Sequence, residues 1–126
     1  MDIHSQVVVF DAADLTAVSS FWAGVLGGSA DREDDWHMVL DRDGRARIGV
    51  QLAPNHVPPQ WPVGDQQQQV HLDLWVTDLE AAHDEVMALG ATLLQSAADP
   101  NADELFQVYA DPAGHPFCLC WYRRPA

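Results

Sequence analysis

The sequence lacks any long apolar run and has few basic residues. No window approaches the roughly 20 apolar residues that a membrane-spanning helix requires, and the N-terminal segment shows neither the basic start nor the apolar core of a secretory signal. Six Lys and Arg residues stand against 19 Asp and Glu residues, so the formal net charge is -13. This charge repels nucleic-acid phosphates and anionic lipid head groups. We therefore expect a cytoplasmic protein with neither nucleic acid nor membrane as its partner.

Cysteine is equally scarce. The chain contains two cysteines, Cys118 and Cys120, which are separated by one residue. On a β-strand their side chains point to the same face, and a disulfide between them would be strained. We therefore predict two reduced thiols in a reducing compartment. The hydrophobic fraction of 48% is ordinary for a folded globular domain, so disorder is excluded.

One motif occurs twice. The segment 7–27 returns as the segment 71–90, each with an apolar strand, an Asp that can cap a helix, an amphipathic stretch and a Leu-Gly stop. A unit of this size cannot bury its own apolar face, so two copies usually complete one core with a cleft between them. The copies differ at their first position, where Val7 cannot bind a metal and His71 can.

Apolar periodicity and turn residues predict the same elements in both halves. The helices are predicted at 15–26 and 79–89, and the strands at 7–10, 28–32, 36–40, 46–52, 70–76, 91–95, 106–110 and 116–122. Four prolines interrupt the stretch between the halves. We therefore predict one domain over residues 1–126, in which module one covers about 5–53, a proline-rich connection about 54–65, and module two about 66–123.

These motifs resemble the glyoxalase/bleomycin-resistance/dioxygenase superfamily, also called vicinal oxygen chelate proteins, and most closely its glyoxalase-like branch. The resemblance rests on the segments 21–27, 71–79, 89–91 and 111–119. It implies an α+β fold of two βαβββ modules whose curved mixed sheets surround a pocket, with the helices outside, and a homodimer. Members include metal-dependent isomerases, ring-cleaving dioxygenases, thiol transferases and metal-free drug-binding proteins, so the fold does not fix the reaction.

The resemblance also implies four metal-ligand positions, at the start of each module's first strand and on each module's last strand. They hold Val7, Gln51, His71 and Cys118. Val7 has no donor atom, Gln51 is a weak neutral donor, and Cys118 replaces a carboxylate. A catalytic metal normally needs three suitable protein ligands. We therefore expect no metal cofactor, and a divalent metal held by His71 and Cys118 with help from Asp73 is the alternative.

Strand alternation places His71, Asp73 and Trp75 on one face, and turns Cys118 and Cys120 toward the pocket. A carboxylate on an inward face must be paired, which makes His71 the expected partner of Asp73. These two are the candidate catalytic residues, able to move a proton beside a carbonyl. Alternatively, His71 has a purely structural role. Cys118 can likewise be a small buried packing residue rather than a nucleophile.

Aromatic residues suggest a cavity for a flat or apolar ligand. Trp61 is the best candidate for a ligand contact or a dimer contact, because it lies in the proline-rich connection. Trp36 and Trp75 could line the cavity or belong to the core, and Trp22 and Trp121 are expected in the core. The predicted ligand-binding residues are Gln51, Trp61, His71, Asp73, Trp75 and Cys118.

We therefore predict a small-molecule-binding protein without the standard metal site, which sequesters an aromatic or antibiotic-like ligand. The alternative is a lyase, isomerase or dioxygenase-like enzyme acting on a carbonyl substrate, with or without a divalent metal. A third class is an interaction module whose pocket is vestigial. The sequence alone does not decide whether the chain is an enzyme.

Overall fold

A computed structural model describes residues 1–123 and divides the chain into two compact units, one within residues 1–57 and one that begins at Pro58. Each unit contains a four-stranded mixed sheet and one helix. The predicted α+β fold with two repeated modules is therefore confirmed. Within residues 1–123, no helix is long and apolar enough to cross a membrane.

The first unit contains β1 (Val8–Ala12), α1 (Leu15–Leu26), β2 (Ser29–Arg32), β3 (Trp36–Leu40) and β4 (Ala46–Leu52). Its strand order is β1-β4-β3-β2, with β1 parallel to β4 and the other neighbours antiparallel. The bounds of α1, β3 and β4 match the prediction. β1 continues past its predicted end because Asp11 and Ala12 still pair with Gln51 and Leu52 of β4.

The second unit contains β5 (Leu72–Trp75), α2 (Leu79–Leu89), β6 (Thr92–Gln95), β7 (Glu104–Ala110) and β8 (Pro116–Tyr122). Its strand order is β5-β8-β7-β6, the same arrangement as in the first unit. β7 begins earlier than predicted, because Glu104 and Leu105 pair with Tyr122 and Trp121 at the end of β8.

Both helices begin and end as the repeat predicts. Asp14 Oδ1 accepts a hydrogen bond of 3.1 Å from the backbone N–H of Ala17, and Asp78 Oδ1 accepts one of 3.0 Å from Ala81. These caps satisfy a backbone donor that the first turn of a helix leaves free. Gly27 and Gly90, with φ of 66° and 113°, end the helices in the left-handed region that glycine adopts readily.

Each sheet packs one face against apolar side chains of its own unit. In the first unit Val18 and Trp22 of α1 are buried with Val39 and Val50 of the sheet. Truncation of a buried Trp costs about 3–5 kcal/mol, so Trp22 is a major contributor to the stability of this unit. In the second unit Tyr109 stacks on Phe117 with ring centroids 5.3 Å apart. Burial raises the pKa of Tyr109.

The expectation for the tryptophans is half right. Trp22 is fully buried, as predicted. Trp121 was expected in the core but is only half-buried. Its Nε1–H donates to the carbonyl oxygen of Thr77 at 3.2 Å, and the guanidinium of Arg123 lies 5.8 Å from its ring centroid. An indole N–H requires an acceptor, and Thr77, two residues after the end of β5, supplies one.

Trp36 fills the sheet surface around Gly49 in the first unit. The outer atoms of its indole ring lie where a Cβ at position 49 would project, so only glycine fits beside this ring. Trp36 therefore acts as a packing residue of its own unit.

We expect Gly49→Ala to lower the free energy of unfolding by about 1–3 kcal/mol, because the added methyl group overlaps the Trp36 indole. Urea unfolding followed by circular dichroism measures this cost. In a Trp36→Phe background the shorter ring leaves room, and the same substitution should cost clearly less. An equal cost in both backgrounds would contradict the overlap.

Candidate functional site

A cavity of about 430 Å³ lies within the second unit. It is on the sheet face that carries Cys118 and Cys120, and these thiols form its floor with the polar groups of β5. The lining consists of aromatic and apolar side chains around a few polar groups, the usual composition of a small-molecule site. The lining residues are Trp61, His71, Asp73, Trp75, Glu104, Leu105, Phe106, Cys118 and Cys120.

The structure brings together five of the six predicted ligand-binding residues. Trp61, His71, Asp73, Trp75 and Cys118 all line this cavity, but their role in binding stays a prediction. The sixth, Gln51, lies on β4 of the first unit and is exposed. Its assignment as a ligand contact also stays a prediction.

The floor of the cavity is a hydrogen-bonded cluster centred on Asp73. Its Oδ1 lies 3.1 Å from Nε2 of His71, which agrees with the pairing expected from strand alternation. The thiols of Cys118 and Cys120 donate to the same carboxylate. The parallel pairing of β5 with β8 sets this geometry, because it aligns Asp73 with Cys118 and Trp75 with Cys120.

Both thiols are held in the protonated form. Burial, followed by the negative charge of Asp73, raises the pKa of Cys118 to about 12. The same two causes raise the pKa of Cys120 to about 11. Because the thiolate is the nucleophilic form, these cysteines act as neutral hydrogen-bond donors at neutral pH. Their nearly complete burial is consistent with that role.

Trp61 forms one wall of the cavity. Its ring stacks on the imidazole of His71, with centroids 4.8 Å apart and planes inclined by 27°. The loop around it is ordered by the side chain of Gln60, whose Oε1 accepts hydrogen bonds from the backbone N–H groups of Asp65 at 2.9 Å and Gln66 at 3.3 Å. Trp61 is therefore a positioned wall of the cavity, although it comes from an irregular segment.

An aromatic rim surrounds the opening. Trp75 is 62% exposed and Phe106 is 54% exposed. The Trp75 ring meets Tyr122 edge to face, with centroids 5.7 Å apart. Large apolar side chains at this exposure leave flat surfaces free to contact a ligand.

Glu104, Leu105 and Phe106 were absent from the predicted site. Phe106 pairs with Cys120 and Glu104 with Tyr122 in the antiparallel β7–β8 ladder, so both residues lie on the cavity face. The missed signal was alternation with Val108, which pairs with Cys118. This alternation was available for Phe106, whereas Glu104 and Leu105 lay outside the predicted strand 106–110.

The residues present do not fit the metal site that the family resemblance implies. In the first unit Val9 pairs with Gly49, just as Asp73 pairs with Cys118 in the second. The pairing registers therefore put Gly49, rather than Gln51, at the position equivalent to Cys118. Neither Gly49 nor the valine at position 7 offers a side-chain donor.

Three possible donors remain in the second unit. The ligand atoms of His71, Asp73 and Cys118 all lie within 4.8 Å of one another. These three side chains already bond to one another: His71 contacts the Asp73 carboxylate, and the protonated thiol of Cys118 donates to it. The first unit offers no side-chain donor at the equivalent positions. A metal site with ligands from both modules therefore does not fit these residues.

Comparison with known proteins identifies the family of this chain. The family model described as "Glyoxalase-like domain" matches residues 7–120. No curated protein matches the chain.

Several solved structures share the fold at low identity. The fosfomycin resistance protein FosX from Listeria monocytogenes is 11% identical with a TM-score of 0.71, over 100% of this chain and 96% of that one. A glyoxalase/bleomycin resistance protein/dioxygenase family enzyme from Burkholderia phytofirmans PsJN is 18% identical with a TM-score of 0.67, over 92% and 96%. A glyoxalase-related enzyme from Fulvimarina pelagi is 19% identical with a TM-score of 0.68, over 96% and 88%. At these identities the likeness shows the fold alone.

We expect both thiols to react with iodoacetamide at pH 8 at least about 100-fold more slowly than a free cysteine, because their raised pKa values leave little thiolate. Single Cys118→Ser and Cys120→Ser variants separate the two rates by mass spectrometry. Asp73→Asn removes the adjacent negative charge and should speed both reactions. Protein in urea supplies the unprotected reference, and equal rates for folded and unfolded protein would contradict the cluster.

Proposed function

This chain belongs to the family of glyoxalase-like domains, and from that premise we propose that it is a metal-free small-molecule-binding protein that sequesters a flat aromatic or antibiotic-like ligand. The observation that carries the proposal is the cavity of about 430 Å³, in which an aromatic wall and rim stand around a polar, hydrogen-bonded floor. This volume lies within the range of about 300–1,000 Å³ typical of small-molecule sites.

The aromatic side chains support a flat ligand. Trp75 and Phe106 are both more than half exposed, and Trp61 is held in position by its stack on His71. Aromatic faces bind flat rings through apolar contact and favourable ring geometry, with about 0.5–1.5 kcal/mol per ring pair beyond area burial. A ligand placed among them would bury surface that the free protein exposes to water.

The polar floor supports binding rather than covalent chemistry. The thiols of Cys118 and Cys120 are protonated donors to Asp73, so neither is a ready nucleophile. Asp73 and His71 are partly exposed and can still form a hydrogen bond with a ligand. A few oriented polar groups in an apolar cavity commonly fix the orientation of a bound molecule.

The relatives add a functional precedent. Two structural neighbours are named as fosfomycin resistance proteins, from Listeria monocytogenes and Mesorhizobium loti. The fold therefore occurs in proteins named for resistance to an antibiotic, and this precedent supports the antibiotic-like part of the proposal.

We further propose a cytoplasmic homodimer, which the two free thiols and the exposed apolar residues of the second unit support.

A second candidate function rests on the His71–Asp73 pair. The 3.1 Å separation between imidazole nitrogen and carboxylate oxygen places a possible acid and base at the floor of the cavity. Such a pair could move a proton next to a carbonyl group, as a lyase or isomerase requires. Binding without turnover remains our first proposal because neither thiol of the floor is a ready nucleophile.

We expect the neutral probe 2-naphthylmethanol to bind with one molecule per chain by isothermal titration calorimetry, and light scattering on the same samples should report a dimer. Phe106→Ala should weaken binding about tenfold, because an exposed aromatic face is lost from the rim. Leu94→Ala is the matched control, since Leu94 is also an exposed apolar residue of the second unit but does not line the cavity.

Dialysis against EDTA and later addition of zinc should leave this affinity unchanged. An affinity that disappears with EDTA and returns with zinc would overturn the metal-free proposal. So would equal effects of the rim and control substitutions.

The enzymatic alternative predicts catalysed exchange of carbon-bound hydrogen in an enolisable α-hydroxyketone, followed by NMR in D₂O. Asp73→Asn should abolish the exchange while the circular dichroism spectrum is retained, because the amide cannot act as the base. Exchange by the wild-type chain at the rate of buffer alone would exclude this alternative for the substrate tested.

A further inference from the structure

We infer that the cavity of the second unit selects a flat aromatic ligand that carries a cationic nitrogen, such as an arylalkylammonium ion. This inference rests on the proposed binding function and adds a charge to its ligand. Its basis is the distribution of charge along and around the cavity, taken together with the aromatic rim.

The charged side chains of the second unit are almost all acidic. Between Pro58 and Tyr122 there are ten Asp and Glu residues and no Lys or Arg. At the end of this unit the guanidinium of Arg123 is paired with Asp103, with Nε and Oδ1 3.1 Å apart. The arginine at position 124 lies outside the described residues. Like charges concentrated in one unit create a negative potential that extends about a Debye length, near 10 Å at 0.1 M salt.

Two of these carboxylates reach the cavity itself. Asp73 lies on the floor and Glu104 lies at the rim, and both side chains are accessible to solvent. Among the residues described in the cavity lining, none is Lys or Arg, and the two cysteines are neutral. His71 is the one lining group that can carry positive charge, and it already contacts Asp73.

Asp73 retains capacity for a further donor. A carboxylate offers about four lone-pair positions, and the cluster uses three donors at most, from His71, Cys118 and Cys120. Its side chain is 47% exposed, so at least part of the carboxylate faces the opening. An ammonium N–H could therefore donate to Asp73 without displacing the existing hydrogen bonds, whereas a ligand carboxylate would meet only repulsion.

The rim is suited to the same charge. Trp75 and Phe106 are more than half exposed and line the same cavity as these carboxylates. The negative face of an aromatic ring attracts a cation, and Trp is the most effective ring for this contact. A single ligand could thus place its flat ring against the rim and its charged nitrogen near both the rings and Asp73.

Three probes with one ring system test the inference. They are 2-naphthylmethylammonium, 2-naphthylmethanol and 2-naphthylacetate, titrated by calorimetry into the full chain at pH 8, where histidine side chains are ordinarily neutral. We expect the ammonium ion to bind about tenfold more tightly than the alcohol, and the acetate to bind most weakly. The preference should shrink at 0.5 M salt because the ions screen the charges.

Charge-removing variants locate the cause of the preference. Glu104→Gln should reduce the ratio of ammonium to alcohol affinity, with alcohol binding retained. Asp73→Asn should reduce the same ratio and also weaken alcohol binding, because Asp73 belongs to the floor of the cavity. Glu104→Gln is the safer variant, because Glu104 is exposed and its carboxylate lies outside the Asp73 cluster. Glu85→Gln is the matched control: it removes an exposed carboxylate of the same unit that does not line the cavity, and should leave the ratio nearly unchanged.

The outcomes separate the two proposals. Equal affinity of alcohol and ammonium, or tighter binding of the acetate, would overturn the inference of charge selection and leave the binding function intact. No binding of any probe, or binding insensitive to Phe106→Ala, would overturn the proposed function itself. An ammonium preference reduced equally by Glu85→Gln and Glu104→Gln would show a general effect of net charge and would overturn selection by the cavity.

Discussion

The hydrogen bonds to the Asp73 carboxylate organise the whole floor of the cavity. The parallel pairing of β5 with β8 sets Asp73 beside Cys118, and strand alternation brings Cys120 to the same face. The carboxylate accepts from both thiols and contacts His71, whose ring in turn supports Trp61. A buried thiol without an acceptor, or a carboxylate without donors, would be costly at this position. Burial and this carboxylate together keep the thiols protonated, and the carboxylate supports the aromatic wall through His71.

The two units use the same backbone arrangement for different purposes. At the pair of positions where the second unit has Asp73 and Cys118, the first has Val9 and Gly49. Glycine admits the ring of Trp36, which covers this part of the sheet. The first sheet surface is thus filled by a side chain of its own unit, while the second keeps an open cavity. The two units share a topology because caps, stops and strand pairing depend on few residues, whereas the side chains between them differ.

Local signals made most of the fold predictable from the sequence. Asp14 and Asp78 cap the two helices, and Gly27 and Gly90 end them, so the bounds of both helices follow from contacts within a few residues. Helical caps act over one turn, and a reader of the sequence can recognise them without knowing the tertiary structure. The helix bounds were therefore predicted correctly, as were those of three strands.

Signals that depend on distant partners were harder to read. The start of β7 at Glu104 is determined by its pairing with Tyr122, which is remote in sequence. The equivalence of Gly49 with Cys118 depends on the strand registers, which no local motif records. The position of Trp121 depends on an acceptor at Thr77. The face that carries His71 and Asp73 was predictable because alternation along one strand is itself local.

The polarity of the cavity follows from the side chains on its sheet face. A bound divalent ion presents positive charge to a ligand and therefore favours oxygen anions. In this chain the corresponding region of the second unit presents the Asp73 carboxylate, two neutral thiols and no lysine or arginine. With little counter-charge nearby, the carboxylate favours a ligand of the opposite sign, and this preference is stronger where water is partly excluded. The proposed metal-free binding and the proposed selection of a cationic aromatic ligand therefore rest on the same side chains of one sheet face.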